Sequence, residues 1–299
     1  MSRVVVLGSV NIDYVLHLPR FPQPGETLAG SEFRVTMGGK GANQAVACAR
    51  AGGDCALVAC IGDDAYGREA LAGFEADGID VSGVTVLSDA RTGAALIFID
   101  DQGENCIGIS AEANAALAIE RVEAASMQIA AADWLLMQLE VPLPAVQRAV
   151  EIAKAAGTRV ALNPAPAAGP LPSALLQQVD LLTPNQTEAR TLLPDSVQTD
   201  EAAARALLAL GVGTVIVTQG AAGALLVEPA GTTPVPGIAA RVVDTVGAGD
   251  CFNGVLVAEL ARGATLPEAM AFATRAAAIA VTREGAQTSM PLRSEIAGA

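Results

Sequence analysis

Residues 134–162 read WLLMQLEVPLPAVQRAVEIAKAAGTRVAL, and the fold class turns on how this stretch is parsed. Trp134–Leu139 is an apolar run of strand length, Leu143–Ala156 has the length and alanine content of a helix, and Arg159–Leu162 is a second short apolar run. Strands alternating with helices of that length imply βαβ units and a parallel sheet covered on both faces. The alternation extends outward in both directions. Toward the N-terminus lie Arg3–Leu7 (strand), Gly41–Ala51 (helix), Cys55–Ile61 (strand) and Gly67–Asp77 (helix). Toward the C-terminus follow Leu181–Thr183 (strand), Asp200–Leu210 (helix), Thr214–Thr218 (strand), a long Asp250–Arg262 helix and Leu266–Arg283. The expectation is one α/β domain over residues 1–299, a mostly parallel, doubly wound sheet with helices on both faces.

Two stretches break the pattern. Residues 12–36 hold Pro19, Pro22, Pro24 and Gly25 between short alternating pieces, and residues 92–110 read as two strands around a turn at Asp100–Gly103. Neither contains a helix, so both are expected to leave the main sheet together as a small β lid over a pocket at the strand carboxyl ends. A pair of ordinary surface hairpins is the plainer reading.

Composition narrows the function class. The 299 residues are 52% hydrophobic and 17% charged, which excludes a disordered chain. A net charge of −14 and only 3% aromatics argue against nucleic acid and anionic membranes, because phosphate recognition leaves a basic footprint. The uncharged stretch Ala206–Val227 is long enough to span a bilayer, but Gly211, Gly213, Gly220 and Gly223 make it read as helix end, buried strand, turn and strand. Five cysteines without CxxC spacing suit a reducing compartment, and the short apolar N-terminal stretch lacks a signal-peptide pattern, so a cytoplasmic protein is expected. His17 is the only histidine, which rules out His-based triads and multi-His metal sites.

Three glycine-rich or polar turns carry chemistry. Asp244-Thr245-Val246-Gly247-Ala248-Gly249-Asp250 follows the strand-like run Ala239–Val243 and opens a helix. Glycines at such a turn leave the first helical N–H groups free for an anion, and Asp250 beside them could take a proton from an attacking hydroxyl. The structural alternative is an N-cap Asp after a glycine turn. Met37-Gly38-Gly39-Lys40-Gly41-Ala42-Asn43-Gln44 is a second glycine-rich helix entry, with Lys40 and Asn43 as donors to a polyol or anion, or else a plain helix start. In Thr183-Pro184-Asn185-Gln186-Thr187-Glu188, Asn185 and Glu188 share a helix face suited to a hydrated Mg²⁺; the alternative is a capping box with Thr at the N-cap and Glu at N3. There is no GxxxxGK[ST], and no GxGxxG after the first strand, so P-loop and dinucleotide-dehydrogenase readings lack support.

Taken in order, these segments resemble the PfkB family of carbohydrate kinases. The resemblance is carried by Asn11-Ile12-Asp13, Pro24–Thr27, Gly38–Ala45, Gly103–Asn105, Met137–Glu140, Leu162–Pro166, Thr183–Glu188, Asp244–Asp250 and Ala280–Gln287. It spans essentially the whole chain. It implies transfer of a phosphoryl group from ATP to O5 of D-ribose, with 2-deoxyribose, fructose or a nucleoside as alternative acceptors. Within that resemblance Lys40 and Gln44 stand against fructose and nucleosides, and the choice between ribose and 2-deoxyribose turns on one hydroxyl.

Position by position, the resemblance implies that Asn11, Asp13, Gly39, Lys40, Asn43 and Glu140 hold the sugar. Asp250 would be the base, and the backbone of Gly247, Ala248 and Gly249 would stabilise the migrating phosphoryl group. ATP would lie across Asn185, Thr218, Gln219, Gly220, Ala221, Ala222, Gly223 and Gly249, with Thr274 near the adenine. Glu188 would act on Mg²⁺ through water, and Asp244, Val246, Ala280, Arg283, Gly285 and Ser289 match a K⁺ site. The lid would pair with a second copy, giving a homodimer. The chain departs from the family pattern at Ala221-Ala222, at Thr274, where His or Asn is usual, and at Cys251, where Thr is common. A non-catalytic sugar sensor on the same fold would be expected to have lost Asp250 or the glycines before it; this chain keeps both.

Overall fold

A computed structural model describes residues 3–193 and 197–298. Among them thirteen strands form: β1 (Arg3–Leu7), β2 (Asn11–His17), β3 (Ser31–Gly38), β4 (Asp54–Gly62), β5 (Asp80–Leu87), β6 (Gly93–Ile99), β7 (Asn105–Ser110), β8 (Trp134–Met137), β9 (Arg159–Leu162), β10 (Leu181–Leu182), β11 (Thr214–Thr218), β12 (Gly223–Glu228) and β13 (Gly231–Pro236). Nine of them make one sheet in the order β13-β12-β11-β10-β9-β8-β1-β4-β5. From β5 through β11 all pairs are parallel, and β12 and β13 close the edge antiparallel.

The sequence of β1 shows why the sheet is a central layer. Val4 and Val6 pack into one hydrophobic cluster, and Val5 and Leu7 into another. Successive side chains of a strand point to opposite faces, so an unbroken apolar run needs cover on both. Helices Lys40–Arg50, Ala248–Ala261 and Leu266–Ala280 supply it on one side, and Leu143–Ala156 and Asp200–Ala209 on the other. The chain runs from β1 outward to β4 and β5, then crosses to β8 on the other side of β1. Ligands of open α/β sheets bind at the carboxyl ends of strands where the order reverses in this way. Here those ends are Leu7 and Met137.

The remaining four strands form a separate sheet, β3-β2-β6-β7, in which β2 and β6 are parallel and the outer pairs antiparallel. Two sequence expectations are corrected. Ala239–Val243 is not a strand: Val242 and Val243 are exposed, and the amides of Val243 and Asp244 both donate to the Val281 carbonyl at 2.7 and 3.3 Å. β-branched residues favour strands only where a neighbouring strand gives them a surface to pack on, and here the sheet has already ended at β13. The edge strand β5 was not foreseen, since its sequence DVSGVTVL lacks the continuous apolar run of a central strand. Among the described residues no helix is long and apolar enough to cross a membrane.

Candidate active site

The site begins where β1 and β8 end. β1 continues into Gly8-Ser9, and β8 into Gln138-Leu139-Glu140. Ser9 Oγ donates to Glu140 Oε2 at 2.6 Å, and the Lys40 amide donates to the same oxygen at 3.1 Å. The helix Lys40–Arg50 therefore starts directly over the strand ends. Glycine makes that approach possible: a Cβ on Gly41 would sit 2.5 Å from the Gly8 carbonyl carbon, and Gly39 turns into the helix at φ 88°.

β2 and β3 of the small sheet supply the roof. A Cβ on Gly38 would lie 2.1 Å from Asp13 Oδ2, so the Asp13 carboxylate rests against bare backbone. Asn11 is locked from behind by the buried Asn114, whose Nδ2 donates to Asn11 Oδ1 at 2.7 Å while its Oδ1 accepts the Val10 amide at 2.9 Å. Arg34 on β3 pairs with Glu284 at 2.5 Å, tying the small sheet to the loop after the helix Leu266–Ala280.

Asp250 lies at the first turn of the helix Ala248–Ala261, whose N-cap Gly247 has the left-handed φ of 74°. The turn is half-buried to exposed up to Gly249, and Asp250 itself is buried. Asn43 Nδ2 donates to Asp250 Oδ2 and Gln44 Nε2 to Asp250 Oδ1, each at 2.9 Å. The Ala248 amide reaches the Thr245 carbonyl only at 3.3 Å, and Cys251 makes the first firm helical bond, 2.8 Å to the Gly247 carbonyl. The Gly249 and Asp250 amides, lying between them, have no carbonyl partner among the described residues, as the first turn of a helix requires.

Asp13, Glu140, Glu188 and Asp250 all lie close enough to Lys40 for their charges to act on it. Burial, with Glu140 and Asp250 as like-charged neighbours, pushes the Asp13 carboxyl up to about 7 against the pull of Lys40. Burial by itself would depress the Lys40 ammonium, but Asp250, Glu140, Glu188 and Asp13 together outweigh it and hold its pKa above the ordinary value. Glu188 is raised mainly by burial, opposed by the Asn185 amide and Lys40 and assisted by Asp250.

On the other flank, Asn185 and Glu188 form a capping box: Asn185 Oδ1 accepts the Glu188 amide and Glu188 Oε2 accepts the Asn185 amide, both at 2.8 Å. The N-cap is thus Asn185, which corrects the expectation of Thr there. Asn185 bridges to Thr218, and the short helix Gly220–Ala222 follows between Gln219 and Gly223 (φ 99°). Gln219 Nε2 is engaged by Asp200 Oδ2 at 2.7 Å. Thr274 lies on Leu266–Ala280 with its hydroxyl buried and unpartnered, and no hydrogen bond joins it to the other candidate residues.

The Asp244 carboxylate clasps two loops, accepting the amides of Val246 and Gly285 at 3.0 Å each. Arg283 donates its amide to the Ala280 carbonyl at 3.0 Å, and Ser289 Oγ donates to the Ala286 carbonyl at 2.7 Å. Sequence reading placed no site role on Ser9, Asn114, Gln138, Asn163 or Asn253. A signal for most of them was present. Ser9, Gln138 and Asn163 each stand within two residues of the carboxyl end of a buried apolar strand, where a polar side chain must face a crevice or find a partner.

The sequence matches the profile of the pfkB family carbohydrate kinases over residues 1–293. A ribokinase of Haemophilus influenzae is 42% identical over 295 residues, covering 98% of this chain and 96% of that one. Among solved structures, ribokinase from Thermotoga maritima superposes with a TM-score of 0.91 at 40% identity, covering 100% of this chain and 99% of that chain. Arabidopsis thaliana ribokinase, complexed with ribose and ATP, gives a TM-score of 0.90 at 30% identity, with 100% and 98% coverage.

Proposed function

The chain belongs to the pfkB family of carbohydrate kinases, and on that premise we propose that it phosphorylates D-ribose at O5 with ATP, the activity of a ribokinase. One observation carries the chemical reading: a buried carboxylate, Asp250, stands at the open amide end of a helix and is fixed by amide donors on both oxygens. Asn11, Asp13, Gly39, Lys40, Asn43 and Glu140 hold the sugar in this reading. Carboxylates accept from vicinal hydroxyls, and the Lys40 ammonium balances part of their charge.

Asp250 takes the proton of the primary hydroxyl as its oxygen attacks the terminal phosphorus of ATP, and ADP leaves. Charge on the transferring group falls on the backbone of Gly247, Ala248 and Gly249, where the Gly249 amide has no carbonyl partner, and on the positive end of the helix dipole. Those fixed donors do the work that a basic surface would do elsewhere, which suits a chain of net charge −14. The nucleotide lies along Asn185, Thr218, Gln219, Gly220, Ala221, Ala222 and Gly223. Backbone must serve there, because Ala221 and Ala222 offer no side-chain donor; Thr274 supplies its unpartnered hydroxyl on the adenine side.

Among the described residues no group of three or more His, Cys, Asp or Glu stands at metal-ligand spacing. A Mg²⁺ ion would therefore rest on phosphate oxygens and water, with Glu188 as the protein's carboxylate, and would neutralise phosphate charge when bound. In this reading the Asp244 carboxylate, which accepts the Val246 and Gly285 amides, would hold a monovalent cation together with oxygens of Val246, Ala280, Arg283, Gly285 and Ser289. That all-oxygen set with a single charge fits K⁺, which would stiffen the loop beside the anion-binding turn. The small sheet acts as the lid, and its outer face supports a homodimer: Phe33, Val35 and Leu96 are 63%, 41% and 54% exposed, and Tyr14 pairs in register with both Val35 and Leu96. Five free cysteines suit a reducing, cytoplasmic setting.

A panel of ribose, 2-deoxyribose, fructose and a nucleoside, each with ATP, tests the assignment. Ribose is expected to give the highest kcat/KM. A large preference for another acceptor overturns the substrate claim and leaves the kinase class standing.

A further inference from the structure

We propose that Gln44 is the positioning residue that fixes the Asp250 carboxylate, its own amide being oriented by a buried chain anchored on the Thr183 carbonyl. The inference deepens the reading of Asp250 as the base and rests on it. The chain starts at a group with no choice: the Thr183 carbonyl can only accept, and it takes Asn163 Nδ2 at 2.8 Å. Asn163 Oδ1 must then face the other way, where it accepts Gln44 Nε2 at 3.1 Å. The second hydrogen of that same nitrogen goes to Asp250 Oδ1 at 2.9 Å. At the far end Gln44 Oε1 accepts Gln138 Nε2 at 2.6 Å.

Flipping the Gln44 amide would set its oxygen against two other acceptors, Asp250 Oδ1 and Asn163 Oδ1, and its NH₂ against that of Gln138. Asp250 and Asn163 oppose the flip whichever way the Gln138 amide is turned, and both are buried, so water cannot compensate. Gln44 is 0% exposed, which keeps substrate from touching it. Its effect on the reaction must pass through Asp250. Asn43, the neighbouring residue on the helix, holds Oδ2, so the two donors together fix the plane of the carboxylate. The anchor is also informative. Thr183 lies two residues before Asn185, so the chain couples the base to the segment assigned to the nucleotide.

The test compares Gln44→Met, similar in length and without a donor, with wild type and Asp250→Asn. It measures kcat, the ribose Kd and the melting temperature. Gln44→Met is expected to lower kcat by about 10- to 100-fold, the scale of a misplaced catalytic group, with the ribose Kd little changed. Gln138→Met leaves the donor in place but releases Gln44 Oε1; it is expected to lower kcat less, again without weakening ribose, and it carries the test if Gln44→Met fails to fold. A folded Gln44→Met with wild-type kcat, or a loss of ribose affinity that accounts for its loss of rate, overturns the proposal; so does an unchanged kcat in Gln138→Met when that variant carries the test. If Asp250→Asn itself turns over near-normally, the base reading fails first. If Asp250→Asn is inactive while Gln44→Met is fully active, only the role of Gln44 is lost.

Discussion

Asp13 lies against Gly38 with Glu140 and Asp250 as like-charged neighbours and Lys40 alone opposing them. Its carboxyl, at about 7, is well above the 3.8 of a free aspartate, so folding without substrate favours the protonated form. The contribution of that form to stability is complete below the unfolded-state pKa and is lost as pH rises through about 7. Asp13→Asn, permanently neutral, is therefore expected to melt higher than wild type, with a gap that widens from about pH 4 to about pH 7 and then levels off. Thermal melts of the two proteins across that range check it; a gap that shrinks with rising pH contradicts the burial of Asp13 among carboxylates. The same variant should bind ribose poorly, since its NH₂ group puts a donor where, in the proposed reading, a carboxylate oxygen accepts from a sugar hydroxyl. Cys251 is shifted in the same direction but carries no chemistry. Burial and the adjacent Asp250 push its thiol up to about 12, so it is packing and not a nucleophile, as its place in the core suggests.

The helix Ala248–Ala261 shows how an element can separate fold from chemistry. Gly247 is required by the fold: its φ of 74° and the Ala286 Cα only 3.0 Å from a Cβ built there both exclude a side chain. Gly249 is different, because a Cβ there would meet nothing within 4 Å. Gly249→Ala is expected to raise stability by up to about 1 kcal/mol through helix propensity, yet to lower turnover by placing a methyl group where the phosphoryl group must approach. Calorimetry paired with initial rates reads both, and normal turnover in a stabilised variant would remove the phosphate from this turn. The helix itself was legible in the sequence, because glycines opening a long apolar stretch without a breaker read as a helix entry. β1, β8, β9 and β11 were visible too, each a short apolar run bounded by turn residues. β5 was not, since its polar alternation suits a loop as well as an edge strand, and Ala239–Val243 misled because valines are read as strand wherever they cluster. The residues around Asp250 were legible one by one at Asn43 and Asp250. The Gln138–Gln44–Asn163 chain was not, because hydrogen bonds between residues 94 and 119 positions apart leave no local pattern.

For the whole molecule, the exposed face of the small sheet and the crevice beside it make separate demands. The sheet face exposes Phe33, Val35 and Leu96 together, a patch that water disfavours and a second copy would cover. The wild type is expected to run as a dimer and Leu96→Asp as a monomer, as read by light scattering after gel filtration; a monomeric wild type contradicts the proposed assembly without touching the chemistry. The crevice gathers Asp13, Lys40, Glu140, Glu188 and Asp250 from β2, the helix Lys40–Arg50, the end of β8 and the helices Gln186–Thr191 and Ala248–Ala261. No single segment could hold a sugar and a phosphate with these groups; the doubly wound topology brings them to one edge of the sheet. The most direct measurement is phosphorus NMR of ATP, Mg²⁺, K⁺ and D-ribose incubated with wild type and with Asp250→Asn. The wild type is expected to produce ADP and ribose 5-phosphate in equal amounts, and Asp250→Asn to do so at least about 100-fold more slowly while still binding both substrates. Phosphoribose formed at comparable rates by both proteins, or by neither, would contradict the assignment of Asp250 as the base of a ribose kinase.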